Sequence, residues 1–407
     1  MAKGNFVSEW FGHRVYPGIV STIESIADQQ QARCPFLSRA TNEARPCIKS
    51  EAAKGVCTIS SVSNGDRQDW LACPYRALNE KLVADSIRLL FKLAESTVSF
   101  VIPAVRLAQQ ETREDVLRRL ADNQPVFIYF DEKTGGELSI PPTDRSPEFS
   151  FDVTIVELIK HDAVAHVGRF GILEIQTMDF HGSYRAAVRN LTEALRMHPT
   201  AFGTSLQANQ WWLGEGVEGP NIANVFKRTF YQMMFKFQLG RHAGCAGCVL
   251  AIPKAVWDSW QRHLGAPVVT AEVDGTFRLT AAGRPPPNPP PAWIYVFEPD
   301  AASDITPSPI LPRRIIGTDA PAISYWALEV APEAALSNID AAQGFLAALS
   351  RRLKVFWPEL AKTITVTVGP TDTKARRHEG RAAHLEKQSK YSGPSDQSVK
   401  GKGPNDG

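Results

Sequence analysis

Two runs decide how this chain is read: Ser146–Leu158, S-P-E-F-S-F-D-V-T-I-V-E-L, and Arg169–Thr177, R-F-G-I-L-E-I-Q-T. Both have strand character. Phe149, Phe151, Val153 and Ile155 alternate with Ser150, Asp152, Thr154 and Val156, a period of two that predicts one continuous strand. In the second run Glu174 and Gln176 share a face, and Leu173 and Ile175 point the other way. A carboxylate in the middle of an apolar strand is costly to bury unless something compensates it. Asp152 and Glu174 on neighbouring strands share that cost if they hold a divalent cation between them. The plainer alternative is a half-wet hairpin with polar residues on its outer face.

An aspartate followed about twenty residues later by Glu-x-Lys or Glu-x-Gln is the active-site order of the PD-(D/E)XK nuclease fold, a short pattern that many unrelated chains contain. Longer words stand around it: F-G-H-R-V-Y-P (Phe11–Pro17), G-G-E-L-S (Gly135–Ser139), S-P-E-F-S-F-D (Ser146–Asp152), L-E-I-Q-T-M-D-F-H-G-S-Y (Leu173–Tyr184) and N-V-F-K-R-T-F-Y-Q-M (Asn224–Met233). With the four early cysteines, these words resemble the NotI-type restriction endonucleases, in one order, from about Phe6 to about Pro299. The segment after about Asp300 carries little of the resemblance.

The resemblance implies an α/β fold: a restriction-endonuclease-like mixed sheet flanked by helices, with an N-terminal metal-binding extension built on four cysteines. It implies a type II restriction endonuclease that hydrolyses both strands of a GC-rich palindromic duplex with Mg²⁺. The expected partners are double-stranded DNA, a second copy of the chain and a cognate DNA methyltransferase. Asp152 and Glu174 would be the Mg²⁺ ligands, joined by the Ile175 carbonyl. Gln176 stands where most relatives carry lysine. It has no charge and is not a base, but it can orient the attacking water. The charge-stabilising role is then open, with Lys227 as one guess. Glu137, after the Gly135–Gly136 turn, is the candidate for a further acidic residue at the site, and Glu148 a weaker one. Two rival readings stay open: a structure-selective repair or resolvase nuclease, and a catalytically dead DNA-binding protein.

The 407 residues suffice for one large core or two domains. The composition, 43% hydrophobic and 22% charged, is that of a globular protein. A net charge of +2 means that any DNA-facing basic surface must be local. A basic-then-apolar leader is not seen, and no window is long enough for a membrane span, so a cytoplasmic enzyme is expected.

Cys34, Cys47, Cys57 and Cys73 fall within the first eighty residues at C-x12-C-x9-C-x15-C. In a reducing compartment, clustered thiols bind metal more often than they pair. The close C-x-x-C pairs of a zinc ribbon are missing, and four scattered core thiols are the alternative. The resemblance implies a single structural iron ion here, with zinc the other option.

The chain is expected to divide into this segment (1–80), a catalytic core (81–300), further α/β elements (301–370) and a disordered tail (371–407). Helices are expected over Leu82–Leu93, Thr112–Asn123, Ser183–Met197 with Ser183 as its cap, Asn221–Leu239 and about Ala342–Val355. A strand is expected over Pro125–Phe130, and Gly275–Thr280 is expected to pair with Trp293–Phe297. The helix Asn221–Leu239 is apolar along Ile222, Val225, Phe226, Phe230, Met233, Met234 and Phe237, with a polar ladder Asn224, Arg228 and Gln232. Lys227 and Arg228 on this helix, and Arg185 after the second acidic strand, are the candidate DNA contacts. Solvated helix faces are the alternative for each. His13 and Arg14 have the same two readings, phosphate contact or local packing. Cys245 and Cys248 are read as structural thiols.

Overall fold

The computed structural model describes residues 4–359, apart from 64, 163, 286, 301, 304, 337 and 338. The tail over 371–407 lies outside the described residues. The chain forms two compact units, Met1–Pro332 and Glu333–Gly407. In the second, a helix spans Ile339–Phe356. Both acidic strands belong to the first.

In chain order this unit begins with strands β1 (Phe6–Trp10) and β2 (His13–Arg14), helices α1 (Ile23–Gln30) and α2 (Pro35–Thr41), strands β3 (Val56–Ser63) and β4 (Asp66–Leu71), and the turn of helix α3 (Pro74–Ala77). It continues with α4 (Glu80–Phe91), β5 (Phe100–Pro103), α5 (Gln110–Ala121), β6 (Val126–Asp131), β7 (Leu138–Ile140), β8 (Phe149–Phe151), β9 (Val153–His161) and β10 (Val164–Ile175). Then come β11 (Phe180–Gly182), α6 (Arg185–Met197), α7 (Phe202–Ala208), β12 (Val217–Pro220), α8 (Ile222–Leu239), β13 (Cys245–Pro253) and α9 (Lys254–His263). The unit closes with β14 (Thr270–Ala271), β15 (Phe277–Arg278), β16 (Ala292–Pro299), β17 (Ile310–Thr318) and α10 (Ala320–Tyr325).

A nine-stranded mixed sheet runs β14-β15-β17-β16-β13-β10-β9-β6-β5. The centre, β10-β13-β16, is parallel, while β9 pairs antiparallel with both β10 and β6. The central strands read as nearly unbroken apolar runs because both faces are covered. On one face Phe127, Val153, Ile155, Leu173, Val249, Ala251 and Tyr295 pack under α4 and the α2–α3 region. On the other, Ile172, Leu250, Ile252, Ile294 and Val296 pack against α8, α9 and α10. Helix α5 covers the β5–β6 end through Val116 and Leu120.

Several expectations are corrected here. The strand expected through Phe149–Val156 breaks at Asp152. Phe151 ends β8, which pairs with β7 in its own two-stranded sheet, and packs on the α8 face. Val153 opens β9 and packs on the opposite face. The local reason is that Asp152 binds across to Glu174 and Ile175 in place of the regular ladder. Phe277–Arg278 does not pair with β16; β17 lies between them, because β16 finds a long antiparallel partner in Ile310–Thr318.

The expected divisions at residues 80 and 300 are not boundaries. Cys34, Leu37, Leu71 and Cys73 share a core with the central sheet, and β17 with α10 completes that sheet and its cover. Arg76, buried in α3, forks onto Glu9 of β1 at 2.6 and 2.9 Å and also reaches the Ser308 carbonyl at 2.9 Å. Helix α6 starts after Tyr184 rather than on a Ser183 cap; the Ser183 hydroxyl instead accepts the Arg185 N–H at 3.2 Å. No helix of the described residues is long and apolar enough to cross a membrane.

Candidate active site

Antiparallel pairing sets Val153 of β9 opposite Leu173 of β10, which leaves Asp152 beside Glu174. The Asp152 N–H donates to Glu174 Oε1 at 3.3 Å, and the Ile175 N–H donates to Asp152 Oδ2 at 2.9 Å. Each carboxylate is thereby tied to the backbone of the other's strand. The alternation along β10 sends Leu173 and Ile175 to one face and Glu174 to the face under α8. Glu174 is only 6% exposed.

Helix α8 supplies the partners. Lys236, 5% exposed, places Nζ 2.5 Å from Glu174 Oε2. Thr229 donates its hydroxyl to Gln176 Oε1, while Gln176 Nε2 donates to the Thr177 carbonyl and the Gln176 N–H to the Ala251 carbonyl at 2.9 Å. Both side chains belong to the buried stripe Val225, Thr229, Met233, Lys236 and Phe237.

Loss of water, and then the charge on Asp152, push the Glu174 carboxyl up to about 7 despite Lys236 beside it. Asp152 keeps contact with solvent, yet surrounding atoms strip enough water from its carboxyl to hold it above the ordinary aspartate value. The Ile175 N–H and Lys236 partly offset this. Two adjacent carboxyls that burial holds back from ionisation, with the Asp152 charge opposing that of Glu174 and the Glu137 charge opposing that of Asp152, form a donor set that a divalent cation relieves.

There is room for one. A recess of about 20 Å³ is bounded by Asp152, Glu174, Gln176, Thr229, Lys236 and Cys248. That space suits a single water or a bare ion. It meets an open cleft of about 300 Å³ lined by Tyr75, Asp131, Glu137, Asp152, Gln176 and Arg228. On the other side of Gln232 and Lys236, a groove of about 570 Å³ runs between α8 and Pro147–Ser150.

The structure therefore brings Asp152, Glu174, Gln176 and Glu137 to one place, with Glu137 close enough to raise the Asp152 carboxyl. Glu148 accepts from Ser139 Oγ at 2.6 Å across the β7–β8 hairpin. Arg228 lines the cleft and is held by Asp179 at 2.9 Å, and Lys227 lines the groove. Arg185 is not at the cleft: α6 packs against the N-terminal sheet through Ala187, Val188, Leu191 and Leu195. His13 is no phosphate contact. It is fully buried, with its ring nitrogens at Asp28 (2.9 Å) and Thr306 (2.7 Å).

The cation beside the acidic pair is Lys236, not Lys227. The polar ladder Asn224, Arg228, Gln232 continues one step further to Lys236. The sharper signal was a lysine and a threonine lying within the apolar stripe, where burial demands partners.

The four early thiols converge without forming a ligating group. Cys57 and Cys73 are close neighbours, Cys47 Sγ accepts the Gly55 N–H at 3.3 Å, and Cys57 Sγ donates to the Gly55 carbonyl at 3.4 Å. The adjacent Cys57, and then Lys49, draw the Cys73 thiol below the ordinary cysteine value, whereas burial pushes Cys34 up to about 12. Among the described residues, no group of three or more His, Cys, Asp or Glu side chains is arranged to hold a metal ion. Cys245 and Cys248 are buried free thiols at the start of β13.

No protein-family model matches the chain, and no curated protein matches it.

Proposed function

We propose that the chain is a type II restriction endonuclease of the PD-(D/E)XK fold. It would hydrolyse phosphodiesters in both strands of a GC-rich palindromic duplex, as a homodimer paired in the cell with a DNA methyltransferase. The observation that carries the reading is the juxtaposition of Asp152 and Glu174 across two adjacent strands, at an ion-sized recess meeting an open cleft.

Asp152 and Glu174 would hold Mg²⁺ with the Ile175 carbonyl. Bound there, the ion would offset charge on the phosphoryl oxygens and acidify a water. Gln176, pinned by Thr229 and Thr177, keeps one amide hydrogen to orient that water. Glu137 adds negative potential at the cleft mouth. Lys227 and Arg228, on the exposed side of α8 where they line the groove and cleft, would meet phosphates of the duplex. Cys34, Cys47, Cys57 and Cys73 would hold one structural iron or zinc ion. What supports this is that Cys47 and Cys57 meet at Gly55, and that Cys34 lies near enough to Cys47 and Cys73 to feel their charge.

The test is a plasmid digest with Mg²⁺, followed by sequencing of the ends. Discrete fragments that vanish in Asp152→Ala and Glu174→Ala, with site-specific binding retained, support the reading. Full activity in either variant refutes the site. Products that follow DNA shape rather than sequence favour a repair nuclease, and no products at all favour a DNA-binding protein.

A further inference from the structure

Beside the two acids, Gln176 offers no positive charge, and Lys236 brings one from α8. Its ammonium, nearly buried, stands 2.5 Å from Glu174 Oε2 and lies near the Phe151 ring at 5.7 Å. It borders both the ion-sized recess and the separate groove of Lys227 and Arg228. A monovalent cation therefore already occupies the electrostatic position beside Glu174 that a divalent cation needs. Two positive charges a few ångströms apart in a dry recess repel strongly.

We infer that Lys236 is the resident counter-ion of the metal-free site, and that metal entry and release of its ammonium toward the groove are coupled. The inference rests on the proposed reading of Asp152 and Glu174 as metal ligands and adds a role to it. The ion pair keeps the Glu174 carboxylate in place before metal arrives, while the Ile175 N–H holds Asp152. A metal ion must displace it, so binding is weaker than two buried carboxylates alone would give. The freed ammonium would then sit on the groove side of Gln232, the side that Lys227 and Arg228 also line. In the metal-free site Lys236 is a positioning residue that acts through Glu174; once freed, it would meet a DNA phosphate directly.

Calorimetric titration of DNA-free protein with Mg²⁺, and separately with Mn²⁺, tests this without any cleavage. In Lys236→Met the metal should bind about tenfold more tightly, within the usual range for coupling between two sites. Lys236→Arg, which keeps a cation, should bind as weakly as the parent. Removing the ammonium leaves a buried acid unpaired, so melting is followed with and without Mg²⁺. The rise in Tm on adding Mg²⁺ should be larger for Lys236→Met than for the parent, even if the variant starts lower. Cleavage at saturating Mg²⁺ should fall about 100-fold in Lys236→Met, the range set by loss of one positioned charge, and recover when Gln176→Lys is added, because a cation returns to the site. Equal or weaker metal binding by Lys236→Met overturns the inference while leaving the nuclease reading intact. Metal binding that survives Asp152→Ala overturns the reading of the site itself, and this inference with it.

Discussion

Glu174→Gln gives the most exacting test of the site's electrostatics. The Glu174 carboxyl titrates near 7 in the fold, against an ordinary 4.5, chiefly because it is buried and next because Asp152 stands beside it. A carboxyl raised on folding stabilises the fold below about 4.5 and loses that contribution as pH climbs through about 7. The span corresponds to roughly 3 kcal/mol. Asp152, also raised, acts in the same direction.

The substitution has a second effect: Lys236 loses its carboxylate, and breaking a buried pair costs about 3–5 kcal/mol. Adding Lys236→Met removes the stranded ammonium together with the carboxyl, so the double variant Glu174→Gln/Lys236→Met is the reference for the parent's pH slope. The pH slope, not the absolute stability, isolates Glu174. Melting in a chelator should therefore show the parent losing about 5 °C relative to that double variant between about pH 5 and pH 8. Saturating Mg²⁺ should flatten the parent's slope, because the ion favours the ionised pair. Parallel slopes in chelator would refute the claim that Glu174 is buried against its charge.

Other expectations follow from named contacts. Thr229→Val removes the donor that fixes the Gln176 amide, at a stability cost of about 1–2 kcal/mol; cleavage should drop while DNA binding is kept, and an unchanged rate would show that Gln176 needs no clamp. Arg76→Met should cost about 3–5 kcal/mol by leaving Glu9 buried and unpaired, with much of the loss recovered in a Glu9→Leu/Arg76→Met double variant in urea unfolding. Lys227→Ala and Arg228→Ala should each lower the salt dependence of DNA binding by about one phosphate contact; Arg185→Ala should leave it unchanged. Elemental analysis should find one iron or zinc per chain, lost in Cys73→Ser, and a parent protein free of metal would end the proposal of a four-cysteine site.

The sequence determined the parts that depend on local periodicity. The helices α4, α5, α6 and α8 and the strand that carries Glu174 were legible because apolar spacing must match 3.6 or 2 to meet a core, whereas the break at Asp152 was not. The neighbour relation of the two acids was an expectation that the sequence left open, because a bulge between Val167 and Phe170 shifts the β9–β10 register by one residue and so sets Asp152 beside Glu174. What the tertiary structure decided were pairings between segments far apart in the chain. Only the packed sheet shows that β17 separates β15 from β16, that α3 locks onto β1 through Arg76 and Glu9, and that the N-terminal segment joins the main core. Only the docking of α8 shows that Lys236 and Thr229, sixty-two and fifty-three residues from Glu174 and Gln176, complete the site. Local sequence encodes which side of an element is apolar. Which partner a buried polar group meets is fixed when two faces close on each other, because a charge without water must find its complement wherever the fold brings one.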